Sequence, residues 1–139
     1  MGYPYGILGT VEARRQTMTT VKAMSKAKAA AVVETIRQAM DALYDCGLDA
    51  HAYDAGAKAI RQTALDVQVD GRQYAVVLAR LPYVQVAGRL DAHGYPETLR
   101  LEYGTQYGQR WQAKVAGDDR DLLTDYVAQL VGGVEAARA

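Results

Sequence analysis

The sequence has no phenylalanine, one cysteine, three prolines and no net charge, since 16 basic residues balance 16 acidic ones. With Cys46 as its single thiol, the chain forms neither an internal disulfide framework nor a cysteine-rich zinc site. Zero net charge argues against a histone-like protein that coats polyanions, and against an acidic mimic of nucleic acid. Because no segment reaches the run of about 18 apolar residues that crosses a bilayer, no membrane partner is expected.

The N-terminal residues lack the order of a secretory signal, since the basic pair Arg14-Arg15 follows the short apolar stretch instead of preceding it. A lone thiol fits a reducing compartment. We therefore expect a cytoplasmic protein, in a cell, a host cell or an assembled particle, that is not secreted through a signal peptide. Met18 offers an alternative start.

Ten tyrosines are the most unusual feature of the composition. Tyrosine is enriched at protein interfaces, but it also replaces phenylalanine at half-buried positions. An apolar fraction of 50% and a charged fraction of 23% are typical of globular proteins. A chain of 139 residues suits one domain. We predict an irregular arm over residues 1–18, broken by glycines and Pro4, and a single α+β domain over residues 19–139.

Hydrophobic periodicity predicts a long amphipathic helix from Thr20 to Cys46, stopped by Gly47, and a C-terminal helix capped by Asp118. Residues 48–61 are ambiguous and allow a short strand. Between them and the last helix, alternating apolar residues predict an antiparallel sheet of four or five strands. Both helices should cover one face of this sheet, because each has an apolar stripe to bury.

The pair Asp70-Gly71 is a favoured two-residue hairpin turn, and it predicts the register of the first two strands. With these two residues at the centre of the turn, Val69 faces Arg72, Val67 faces Tyr74, and Leu65 faces Val76. Pro82 marks a bend, and Gly88 marks a bulge or a close backbone contact.

No motif of a catalytic, metal or nucleotide site is present. Cys46, His51 and Asp54 are close in sequence, but Cys46 ends a helix, where the dipole disfavours a thiolate. The candidate metal donors lack a recognised spacing and fit loop positions: Asp49, His51, Asp54, Asp91 and His93. We predict no catalytic residue, no metal and no cofactor, and a small enzyme without a motif remains one alternative.

The apolar residues Tyr3, Tyr5, Ile7 and Leu8 belong to no periodic element, so we predict that the arm contacts a protein partner or a second copy. The expected function is a non-enzymatic protein–protein interaction or assembly protein. Small virion-assembly proteins share the order helix, antiparallel strands, helix, which is an analogy of plan only. The alternative is a nucleic-acid-binding protein that uses a basic helix face: Arg14, Arg15, Lys22, Lys26 and Lys28. Arg100, Arg110 and Lys114 form a second basic group.

Overall fold

A computed structural model describes the backbone of residues 4–115 and 117–138, and the side chains of residues 18–115 and 117–132. The elements in chain order are α1 (Pro4–Tyr44), α2 (Ala50–Thr63), β1 (Asp66–Asp70), β2 (Gln73–Arg80), β3 (Tyr83–Arg89), β4 (Arg100–Gly104), β5 (Arg110–Ala113) and α3 (Asp118–Arg138). The strands form an antiparallel sheet in the order β1-β2-β3-β4-β5. The predicted α+β plan is therefore confirmed, with five strands and one additional helix.

Helix α1 is longer than the sequence indicates. Its buried residues Ala29, Ile36, Met40 and Leu43 recur at helical spacing and form the predicted apolar stripe. The backbone is already helical from Pro4, within the segment predicted to be an irregular arm. Proline is tolerated in a first helical turn, and extending an existing helix adds one hydrogen bond for each residue ordered. Residues 1–3 lie outside the described part of the chain.

Helix α2 replaces the short strand that the sequence allows for residues 48–61. Asp49 is its N-cap, and its carboxylate accepts a hydrogen bond from the backbone N–H of Ala52 at 3.1 Å. The side chain of Ile60 is buried in the core, whereas most of α2 is exposed. The alternation that allowed a strand came from Leu48, Ala50 and Ala52, none of which is buried, so it carried no information about a buried face.

The register predicted for the β1–β2 hairpin is wrong by two residues. Asp70 pairs with Gln73, Val69 with Tyr74 and Val67 with Val76, so the central residues of the turn are Gly71 and Arg72. Gly71 has a φ of 61°, and no residue other than glycine has a positive φ in the described chain. This pattern, with glycine first, is typical of a type II′ turn. Because the shift is even, every side chain stays on its predicted face.

The core lies between one face of the sheet and the helices, as predicted. Helix α1 lies over β3 and β4, and α3 lies over β1. Both contribute fully buried side chains to one cluster with the inward residues of the sheet: Ile36, Met40, Val76, Val84, Val86, Leu123, Tyr126 and Val127. Helix α2 closes the layer by packing on α1 and α3.

The opposite face of the sheet is polar but tightly connected. Tyr83 donates a hydrogen bond to Gln85 Oε1 at 2.9 Å, and Gln85 Nε2 donates to Glu102 at 2.7 Å. Gln85 and Tyr83 are buried without belonging to the core cluster. The first bond runs along β3 and the second crosses from β3 to β4, so side-chain hydrogen bonds support this face of the sheet.

Candidate functional site

The residues predicted to bind a partner lie at the start of the chain. Tyr3 lies outside the described residues, and so do the side chains of Tyr5, Ile7, Leu8, Arg14 and Arg15. The structure does place Lys22, Lys26 and Lys28, which are all exposed on α1. Lys22 Nζ lies 5.8 Å from the centroid of the Trp111 ring, close enough for a cation–π contact.

Two of the three residues in the second basic group, Arg100 and Arg110, are engaged within the chain, and Lys114 is exposed. Arg100 lies 3.6 Å from the carboxylate of Glu102. Arg110 lies over the ring of Tyr83, 4.3 Å from its centroid, and donates to the carbonyl oxygen of Gln106 at 2.7 Å. These contacts give both arginines a role in the sheet and in the β4–β5 turn.

Some of the candidate catalytic and metal-binding residues hold local structure, and the others are exposed. Cys46 is hydrogen-bonded through Sγ to the carbonyl oxygen of Ala42 at 3.2 Å, while His51 and Asp54 are exposed on α2. Asp91 accepts hydrogen bonds from the backbone N–H groups of Tyr95 and His93, which shape its loop and lower the pKa of Asp91. Among the described residues, no three histidines, cysteines or carboxylates are grouped as metal ligands. No helix in that part of the chain is long and apolar enough to cross a membrane.

An apolar groove of about 730 Å³ lies where the sheet ends beside α1. Its walls are α1, the β2–β3 turn and the β4–β5 turn, and its apolar side chains are Val21, Met24, Leu81, Pro82 and Tyr107. Leu81 is 96% exposed, Tyr107 is 93% exposed and Met24 is 60% exposed. Large apolar side chains clustered around a concavity are typical of a protein-binding surface.

Hydrogen bonds hold the walls of the groove in place. Ser25 Oγ lies 3.5 Å from the carbonyl oxygen of Gly104, which joins α1 to the end of β4. Gly104 has a φ of 147°, and a Cβ there would meet the carbonyl oxygen of Gln109 at 2.2 Å. The bond from Arg110 to Gln106 braces the adjoining turn, so Tyr107 extends from an ordered segment. The groove is therefore present before any partner arrives.

A second exposed surface lies at the other end of α1, where the chain turns into α2. We call it the acidic tip, and it consists of Asp41, Tyr44, Asp45, Leu48 and Asp49. Leu48 is fully exposed and Tyr44 is 56% exposed. The turn is ordered by backbone hydrogen bonds from Asp45 to Asp41 and from Asp49 to Cys46, with Gly47 at a φ of 60°. The position of Gly47 as a left-handed stop is confirmed.

Asp125 on α3 fixes the acidic tip to the body of the protein. It accepts a hydrogen bond from Tyr44 at 3.0 Å and another from Tyr95 at 2.9 Å. Partial burial, and next the hydrogen bond to Asp125, raise the pKa of Tyr44 to about 12. The same carboxylate raises the pKa of Tyr95. Both phenols are thus held in the neutral form that donates to Asp125.

Charge is strongly divided between these two ends, although the net charge is zero. Five basic residues and no acidic residue lie between Glu12 and Glu34. Four aspartates and no lysine or arginine lie between Arg37 and Lys58. The described lining of the groove has a single charged side chain, Arg80. Among the described residues, the exposed Lys22, Lys26 and Lys28 thus lie towards the groove, and the aspartates of the acidic tip lie at the other end of α1.

Sequence reasoning found the basic stretch but missed the groove and the tip. Leu48, Leu81 and Tyr107 each lie in a turn between elements, where small and polar residues are the rule. A large apolar residue in a turn was the signal available in the sequence. No protein-family model matches the chain, and neither a curated protein nor a solved structure matches it.

Proposed function

We propose that this protein is a non-enzymatic assembly protein that associates with further copies of itself. The observation that carries the proposal is the apolar groove, with Met24, Leu81 and Tyr107 exposed around it. Monomeric proteins rarely gather large apolar side chains on one surface, because hydrating them costs free energy that a partner would recover. Support also comes from the apolar residues Ile7 and Leu8 near the start of the chain.

The proposal includes a setting for this assembly. A single thiol, Cys46, suits a reducing compartment, which supports a cytoplasmic location. The order of helices and strands is compatible with a small structural component of a virion-like complex, formed in a host cytoplasm. That support is an analogy of plan.

Binding of nucleic acid is the second candidate function, favoured by the basic stretch of α1. Lys22, Lys26 and Lys28 are exposed, and the stretch includes Arg14 and Arg15 in sequence. Such a surface would contact phosphates and lose affinity steeply as salt rises. It predicts that the purified protein binds a mixed-sequence oligonucleotide at low salt, and that reversing the charges of Lys22, Lys26 and Lys28 abolishes binding. No binding at low salt would remove this candidate.

Sedimentation velocity of the full-length protein over a wide concentration range tests the first proposal. We expect the weight-average sedimentation coefficient to rise with protein concentration. The ultraviolet absorbance ratio should be typical of protein free of nucleic acid. A protein that stays monomeric at the highest concentration contradicts self-association. A full-length variant that carries both Ile7→Ser and Leu8→Ser tests whether the predicted arm residues contribute to self-association. Unchanged association of that variant would remove the arm from the interface.

A further inference from the structure

The groove and the acidic tip are complementary in chemistry. The groove offers an apolar concavity with Arg80 in its wall, and Lys28 follows Met24 by one helical turn on the same side of α1. The tip offers a projecting apolar residue, Leu48, between Asp45 and Asp49. A concave apolar surface with a basic rim thus matches a convex apolar surface with an acidic rim.

We propose that the acidic tip of one copy docks in the apolar groove of the next copy, with Leu48 seated among Met24, Leu81 and Tyr107. Asp45 of the tip then faces Arg80 and Lys28 of the groove. This inference rests on the proposed self-association and adds its geometry. The occupant of the groove is a second copy because the chain itself carries the matching surface, with the opposite charge.

The two surfaces are too far apart to meet within one chain. Met24 borders the groove and Tyr44 belongs to the tip, and both lie on α1, about 30 Å apart at 1.5 Å per residue. A contact between unlike surfaces leaves one groove and one tip free after each addition. Such head-to-tail contacts generate open chains, or rings when the rotation closes.

Each contact should be weak by itself. A tip built around Leu48 and Tyr44 covers less surface than a standard stable interface, which buries roughly 1,200–2,000 Å² in total. Opposite charges at its rim should speed association and fix its orientation, and salt should weaken it. The association is therefore measured at high protein concentration and at low and moderate salt.

Two single variants of the full chain test the docking. Leu48→Asp disables the tip and Leu81→Asp disables the groove, and both residues are exposed, so the fold should survive. Each substitution should raise the concentration for half-association by about tenfold or more. Leu65→Asp, at a half-exposed leucine outside both surfaces, is the matched control and should associate like the unaltered protein. Circular dichroism and thermal unfolding should be used to check that all three variants are folded.

Mixing the two disabled variants distinguishes head-to-tail docking from other arrangements. The Leu48→Asp chain keeps an intact groove, and the Leu81→Asp chain keeps an intact tip, so the mixture should form a dimer and nothing larger. A symmetric interface that uses one surface twice would instead leave one of the two variants associating normally when measured alone, and mixing would add no new dimer.

Variants with reversed charge should give a different result on mixing, because they should form long assemblies instead of a dimer. Asp45→Lys and Arg80→Glu should each weaken association alone, and a mixture of the two should restore long assemblies, because every contact then joins opposite charges. Asp49 is left unchanged because it caps α2. If the unaltered protein associates and both leucine variants associate equally well, the docking is wrong while self-association stands. If the unaltered protein is monomeric throughout, both proposals fail.

Discussion

Thr63 and Tyr126 share a hydrogen bond of 2.6 Å between their hydroxyl oxygens, and this bond joins α2 to α3. The Thr63 hydroxyl also donates to the carbonyl oxygen of Ile60 at 2.6 Å. Since a hydroxyl carries one proton, Tyr126 is the donor in the shared bond. The ring of Tyr126 is fully buried, so a polar contact inside the helical layer positions α2.

Replacing Tyr126→Phe should lower the free energy of unfolding by about 1 kcal/mol, because the ring remains and one buried hydrogen bond is lost. Urea unfolding of the variant measures this difference. Thr63→Val removes the other partner, and the double variant should be less destabilised than the sum of the two single changes. Additive effects would show that the two hydroxyls do not interact.

Three tyrosines should resist ionisation on titration with alkali. Burial raises the pKa of Tyr74 and Tyr126 to about 12, and burial with the Asp125 hydrogen bond does the same for Tyr44. Part of the tyrosinate absorbance of the folded protein should therefore appear only as the pH approaches about 12, and that part should appear at lower pH in denaturant. Asp125→Asn should move the titration of Tyr44 to lower pH, since it removes the charge that opposes ionisation.

Stability should fall with pH in the same range. These folded pKa values lie above the ordinary value of 10.0, so the fold favours the neutral phenols. Their contribution is complete below pH 10 and is lost as the pH rises towards about 12. Urea unfolding at stepped alkaline pH checks this, and Tyr126→Phe should lose less stability across the interval than the unaltered protein. An equal loss in both would contradict the assignment to Tyr126.

Two glycines should respond oppositely to alanine. At Gly88, a Cβ would lie 2.1 Å from the carbonyl oxygen of Thr98 and 2.8 Å from the hydroxyl of Tyr74, so Gly88→Ala should cost about 1–3 kcal/mol. At Gly132, in α3, a Cβ meets nothing within 4 Å, and Gly132→Ala should stabilise by about 0.5–1 kcal/mol. Thermal unfolding compares the pair. Equal effects would mean that β3 can move away from Thr98.

Neighbouring residues of α1 should differ sharply in their effect on stability. Ile36 is fully buried, and Ile36→Ala should cost about 2–5 kcal/mol through lost burial and a residual cavity. Arg37 contacts Glu34 and Asp119 near the surface, and Arg37→Gln should cost no more than about 1 kcal/mol. Urea unfolding measures both, and a larger loss for the arginine would show that its ion pairs are stronger than their exposure implies.

The sheet and its covering helices could be predicted from the sequence because each buries one face, which leaves period-2 and period-3.6 patterns. The hairpin register could not, since a shift of two residues leaves Val67 and Tyr74 on the same face. Asp70-Gly71 fits both a turn centred on this pair and a turn in which Gly71 comes first. Helix α2 was not predicted because aspartate is common both in turns and at helix N-caps. Only the structure shows that Asp49 accepts a hydrogen bond from the backbone N–H of Ala52.

The candidate binding surfaces could be predicted only in part. The basic stretch of α1 can be recognised directly in the sequence, because its basic residues are close together and no acidic residue lies among them. The groove is not, because Met24, Leu81 and Tyr107 come from three separate segments that meet only in the folded chain. Exposure of Leu48 also depends on the fold, since the same leucine would be buried if the turn faced inwards.

The basic stretch of α1 and the acidic tip carry charges of opposite sign on one molecule. Its isoelectric point of about 6.7 and its zero net charge describe the whole molecule and conceal this separation. Near neutral pH the zero net charge gives no overall repulsion between copies. The basic stretch of one copy should attract the acidic tip of another, over a distance that an ionic strength of about 0.1 M shortens to about 10 Å. Dialysis of a concentrated solution into water should therefore cause association and turbidity, and adding salt should remove the turbidity.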